Sequence, residues 1–166
     1  MYNNKDMAGD FLNYYNQYKD KIFNYFWYRL DFNRALSEDM TQDVFFKALD
    51  KFDSFDPERS FQAWIFRIAK NHLINHYRVA RRETALTEAE SRTIDAVEKL
   101  NIDLELEDVF RAINVLPEKF REVLSLRYAD SLDNGEIASI LEISEGTVRT
   151  RICRALEILR KSLKNR

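Results

Sequence analysis

Glycine and proline are scarce, with three glycines and two prolines in 166 residues. Sandwiches, barrels and Rossmann-type folds need more turn residues than that, so the composition points to an all-α chain. A single cysteine, Cys153, excludes an intramolecular disulfide and a multi-cysteine zinc site, and it fits a reducing cytosol. No apolar run approaches the ~18 residues of a membrane span. The first residues, MYNNKDMAGDF, lack the basic-then-apolar order of a signal peptide, so no membrane insertion and a cytoplasmic location are expected. A strong excess of one charge is missing too: the net charge is −2, which argues against indiscriminate nucleic-acid binding.

What is present is a 45% apolar share, enough for a core, and a 33% charged share that suits short helices with one wet face each. The charge is unevenly spread. Residues 1–83 carry net +1, residues 84–110 net −6 and residues 111–166 net +3. The chain length allows two small domains. The expected organisation is a helical bundle over 1–83, an acidic linker over 84–106 and a second helical domain over 107–166. A solvated acidic helix inside one continuous domain is the alternative for the middle segment.

Residues 7–31 read as one long helix, with Phe11, Tyr14, Tyr15, Tyr18, Ile22, Phe23 and Phe26 at three- and four-residue spacing. Asn33 is the expected N-cap of a second helix running to about Phe52. At 100° per residue Val44, Phe45, Ala48 and Phe52 share one side, and Asp39, Gln42, Asp43 and Phe46 share the other. A phenyl ring among acids has two readings: a further helix lies over Phe46, or Phe46 anchors a basic partner. A third helix is expected from Phe61 to Arg78, with Phe61, Ile65, Ile68, Ala69 and Leu73 inward and Arg67, Lys70, Asn71 and Arg78 outward. Such a face suits phosphates, with an amide able to read a base edge. His72 and His76 stand at i, i+4, but with no third ligand they read as half-buried rings rather than a metal site, and neither metal nor cofactor is expected.

In the last third, residues 107–115 read as a short helix and Pro117 as the first residue of the next. Asp133 with Glu136 forms a capping-box pattern, Glu142, Ile143 and Ser144 a three-residue turn, and Ser144 the N-cap of a final basic helix. Two helices joined so tightly, the second basic, match a helix-turn-helix. Its expected seam is Val148, Ile152, Ala155 and Leu159. Arg149, Thr150, Arg154 and Lys161 point away from it, and the N-terminal residues of such a helix meet base edges in a major groove. The residues alone leave a free-standing helix-turn-helix regulator open, although no separate dimerisation heptads are visible. A helical hydrolase built on His72 and His76 lacks a nucleophile–base pair, so no enzyme is expected.

Four segments carry a resemblance: SEDMTQDVFFKAL (37–49), FDPERSFQAWIFRIAKNHLINHYR (55–78), LPEKFREVLSLRY (116–128) and EIASILEISEGTVRTRICRALEILRKSL (136–163). In order and spacing, over nearly the whole chain, the sequence resembles the extracytoplasmic-function sigma factors of bacterial RNA polymerase. The resemblance implies two helical domains on a flexible linker that direct the core polymerase to promoters. It assigns Asp39, Gln42, Asp43 and Phe46 to docking on the clamp helices of the β′ subunit. It assigns Asn71 and the loop with Ser54, Asp56 and Arg59, beside the basic face of Arg67, Lys70 and Arg78, to the −10 element. There, Phe61 and Trp64 would line a pocket for a flipped base, unless Phe61 belongs to the core. Thr147, Arg149, Thr150 and Arg154 fall to the −35 element. An anti-sigma factor covering these surfaces is a further implied partner. Two positions depart from the family: Gly135 stands where a glutamate is usual, and Glu142 where a glycine is common.

Overall fold

A computed structural model describes residues 4–86 and 116–164, together with Ile113. The chain divides into two compact units, residues 1–97 and 98–166. Among the described residues there are six α-helices and no strand. The expected short helix at 107–115 lies outside the described residues. So does the expected acidic linker, except for its first three positions, which continue the third helix.

The first unit holds α1 (Asn4–Trp27), α2 (Arg34–Asp50), a 3₁₀ turn (Phe52–Ser54) and α3 (Phe61–Leu86). α1 stops four residues short of the expected end. Asp31 and Phe32 both take left-handed backbone, at φ 51° and 61°. The Phe32 amide donates back to the Trp27 carbonyl at 3.1 Å, and the Phe32 ring meets Trp27 edge-on, a Schellman-type closure without glycine. Asn33 then caps α2, its Oδ1 accepting from the Leu36 amide at 3.1 Å.

α1 contributes Ile22, Tyr25 and Phe26 to the core, α2 Met40, Val44, Phe45 and Ala48, and α3 Phe61, Ile65, Phe66, Ala69 and Leu73. Phe66 and Ala63 are buried although the expected stripe omitted them, because α3 packs against both other helices and so needs a wider apolar face. Ile68 is only half-buried. Phe61 is core: it is buried and stacks on Tyr14 at 4.0 Å with the rings 8° apart.

The second unit holds α4 (Glu118–Leu124), a π-helical segment (Ser125–Ala129), α5 (Asn134–Leu141) and α6 (Glu145–Lys164). Pro117 sits one place earlier than expected, as the extended N-cap of α4 (ψ 141°) rather than its first residue. The π segment closes with Asp130 donating to the Ser125 carbonyl at 3.0 Å. This wider turn keeps Leu126 in the core while Arg127, Tyr128 and Ala129 face solvent. Leu116, Phe120 and Leu124 pack on Ala155, with Ile152, Leu156, Ile158 and Leu159 alongside.

Asp133 closes the expected capping box, accepting from the Glu136 amide at 2.8 Å while its own amide donates to Glu136 Oε2 at 3.1 Å. Gly135 lies in the first turn of α5, where a Cβ would come within 3.3 Å of the capping Oδ1. Glu142 ends α5 at φ 55°, ψ 43°, the left-handed position that glycine occupies without strain. Ser144 caps α6 through the Thr147 amide at 3.2 Å. Val148 and Ala155 are buried and Ile152 and Leu159 half-buried, so the expected seam is the one observed.

Glu142→Gly removes the left-handed penalty and is expected to stabilise the second unit by about 1 kcal/mol. Calorimetry of both proteins checks it. An unchanged or lower melting temperature contradicts the strain.

Candidate nucleic-acid and docking interfaces

α2 turns Asp39, Gln42, Asp43 and Phe46 to solvent, as its periodicity requires once Val44, Phe45 and Ala48 are buried. Phe46 is 68% exposed, and no described helix of this unit covers it. Leu49, one turn further, is 52% exposed and extends the apolar patch. Sequence reasoning passed over Leu49, although its i+3 spacing from Phe46 is a readable signal.

Asp43 is also tied to α3. Its Oδ2 lies 3.2 Å from His72 Nε2, in contact but not aligned as a hydrogen bond. Lys47 Nζ donates to His72 Nδ1 at 2.6 Å. The ring meets Phe26 edge-on, and the histidine side chain is 15% exposed. Burial, and then the Lys47 ammonium, lower the His72 pKa below its ordinary 6.5; Asp43 opposes them, and His76 adds slightly to the lowering. His72 is thus a half-buried ring, as its spacing suggested. Among the described residues no three metal-ligating side chains gather.

The outward face of α3 has Asn71 and Arg78 exposed and Arg67 and Lys70 half-buried. The loop before it spends polar groups on its own shape. Ser54 Oγ donates to the Lys51 carbonyl at 2.7 Å, and Asp56 accepts from the Glu58 amide at 3.1 Å. Arg59 meets Asp56 at 3.3 Å across an exposed pair, which solvent screens, so either is readily exchanged for another partner. Trp64 is half-buried and touches Phe55 and Phe61, with centroids 5.0 and 5.3 Å away.

On α6, Arg149, Thr150 and Arg154 are exposed. Thr147 is half-buried, its hydroxyl 2.9 Å from that of Ser144, and the Thr150 hydroxyl donates to the Gly146 carbonyl at 2.9 Å. An open groove of about 500 Å³ runs along the start of α6, lined by Ser144, Gly146, Thr147, Thr150, Arg151 and Arg154, with Lys119 and Phe120 of α4. Thr147, Thr150, Arg151 and Arg154 line it because i, i+3, i+4 and i+7 share a helix face. Arg149 is not among the lining residues, so the four expected contacts do not form one cluster. Lys119 and Arg151 were missed. Arg151 follows from the spacing, whereas Lys119 arrives only through the packing of α4 on α6.

Residues 14–83 match the model for Sigma-70 region 2, and residues 106–159 match that for Sigma-70, region 4. The chain is 38% identical over 161 residues to the ECF RNA polymerase sigma factor SigW of Bacillus subtilis, covering 89% of this chain and 86% of that one. The chain belongs to the extracytoplasmic-function sigma factors. Solved structures agree. The sigma factor RpoE of Bartonella quintana, in complex with the anti-sigma factor NepR, is 28% identical with a TM-score of 0.67, covering 96% of this chain and 98% of that one. CnrH, in complex with the cytosolic domain of CnrY, is 26% identical with a TM-score of 0.69, covering 93% of this chain and 88% of that one.

As a sigma factor, the protein directs core RNA polymerase to specific promoters for transcription initiation. The match to both regions, in order, does not favour a free-standing regulator. No described helix is long and apolar enough to cross a membrane.

The lowered His72 pKa fixes the sign of one pH effect. The unfolded ring binds a proton near pH 6.5, the folded ring only at lower pH, so acid draws the sigma factor toward unfolding. The contribution of neutral His72 is complete above pH 6.5 and is lost as the pH falls below it. Melting curves from about pH 7.5 to about pH 5.5 are expected to fall more steeply for the wild type than for His72→Phe. Equal slopes contradict this.

Proposed function

We propose that the sigma factor divides its work among the three faces described above. The exposed surface of α2, with Asp39, Gln42, Asp43 and Phe46, docks on the clamp helices of the polymerase β′ subunit. The observation that carries this is Phe46, 68% exposed among acidic side chains, with exposed Leu49 one turn along the same helix. An isolated phenyl ring gains nothing from water there; a basic, partly apolar partner helix would bury it and meet the carboxylates.

Asn71, Arg67, Lys70 and Arg78 on α3, with Ser54, Asp56 and Arg59 of the preceding loop, engage the −10 element. Trp64 stands beside them as the ring against which an extruded base can stack. Thr147, Arg149, Thr150 and Arg154 engage the −35 element, Arg149 and Arg154 from different flanks of α6. The groove geometry adds Arg151 and Lys119 as phosphate contacts. The working domains are residues 1–83 and 107–166, with the acidic stretch 84–106 between them as a linker. Beyond the end of α3 at Leu86, about 20 residues of this stretch reach roughly 66–70 Å when extended, close to the span of promoter elements about two helical turns apart.

The protein acts in the cytoplasm as a binding subunit without catalytic activity of its own. We further propose an anti-sigma factor as a regulating partner, since CnrH and RpoE were each solved with a second protein and the apolar patch of Phe46 and Leu49 suits one.

Purified protein mixed with bacterial core RNA polymerase is expected to co-elute on size exclusion, and Asp43→Lys to abolish co-elution while leaving the fold intact. Retention of the variant on polymerase overturns the docking assignment. In the assembled holoenzyme, Arg154→Ala is expected to cost about 1–3 kcal/mol on promoters with their −35 element and nothing on core binding. Equal affinity of the two holoenzymes for promoter DNA contradicts the α6 assignment.

A further inference from the structure

Asp43 and Lys47 stand one turn apart on α2, a spacing at which opposite charges ordinarily close on each other. Here each meets His72 of α3 instead: Asp43 Oδ2 lies 3.2 Å from Nε2, and Lys47 Nζ donates to Nδ1 at 2.6 Å. A nitrogen that accepts from an ammonium carries no proton, so the neutral ring holds its proton on Nε2, facing the carboxylate. The ring cannot easily turn away, because its side chain is only 15% exposed and the edge of Phe26 packs on it from α1. Asp43, by contrast, keeps 60% of its side chain exposed.

We propose that His72 is a positioning residue for the docking face: by engaging Lys47 through Nδ1 and facing Asp43 with Nε2 it keeps the two charges apart, which leaves the carboxylate open to solvent, where a basic partner can reach it. The inference rests on the assignment of Asp43 to polymerase docking and adds how that carboxylate is kept available. Without the two ring nitrogens, the Lys47 ammonium is released one turn from Asp43 and neutralises it. Protonation has a related effect, since it puts a cation between Asp43 and Lys47, with His76 one turn along α3 as the further titratable neighbour. The lowered pKa keeps the ring neutral near pH 7, consistent with this role.

The test is the affinity of the full chain for core RNA polymerase, for the wild type, His72→Phe, His72→Gln, Asp43→Asn and the double variant His72→Phe with Asp43→Asn. His72→Phe keeps the ring against Phe26 and is expected to weaken binding about fivefold, and His72→Gln, with one donor and one acceptor, to recover most of it. On the Asp43→Asn background His72→Phe is expected to add nothing. Affinity of the wild type is expected to fall more than that of Asp43→Asn as the pH drops below 6.5 and the folded ring takes up its proton, a comparison that needs no change at position 72. Full affinity of His72→Phe beside a weakened Asp43→Asn, equal losses on both backgrounds, or identical pH profiles overturn the proposal while the docking face stands. Full affinity of Asp43→Asn removes the docking assignment itself, and this inference with it.

Discussion

α2 has one perimeter to divide. Met40, Val44, Phe45 and Ala48 face α1 and α3, and a helix that buries those positions must turn Asp39, Gln42, Asp43 and Phe46 outward. The stability of the first unit therefore fixes what it shows to a partner. Leaving a phenyl ring in water forgoes about 1.5–3 kcal/mol of burial, and that free energy is recovered only when a second molecule covers it. The rest of the unit supports this division. α3 carries a wide apolar face so that α1 and α2 can both lean on it, and the aromatic contacts of Phe11, Tyr14, Phe52, Phe55 and Phe61 seat the loop that leads into α3.

The second unit solves a different problem. α6 exposes its first turns while its middle is gripped. Ser144 and the left-handed Glu142 set the angle at which α6 leaves α5, and Ala155 lets α4 approach closely enough to bring Lys119 beside Thr147 and Arg151. The strain at Glu142 is small against the burial of Ile137, Ile140, Leu141 and Val148, which is why the turn survives without glycine. Each half is only mildly basic in sequence, so neither is built for strong binding to DNA alone. On the proposed division of work, linkage through the polymerase would supply the effective concentration that a weak pair of contacts needs.

What was legible in the sequence was local chemistry. Asn33, Asp133 with Glu136, and Ser144 announce three helix starts because a cap is a bond between near neighbours. The outward set of α2 and the seam of α6 follow from helical period alone. The misses were contacts that only packing creates. α1 ends early because Asp31 and Phe32 both adopt left-handed backbone, which an aspartate tolerates but a phenylalanine does not advertise. The π segment at Ser125–Ala129 is set by where Leu126 must point, not by propensity. Lys119 joins the α6 groove, and His72 the Asp43–Lys47 pair, across elements distant in sequence. The family pattern suggested roles that spacing did not, above all for Asn71 and the loop before α3, and these roles are part of the proposal.

The most direct measurement of the central claim is photo-crosslinking from position 46. A benzophenone amino acid in place of Phe46, in the full chain mixed with core polymerase, is predicted to crosslink to the β′ subunit. The same group in place of Glu157, exposed on α6, is predicted not to do so. A β′ crosslink from position 157 and none from position 46 would show that the exposed ring of α2 is not the anchor.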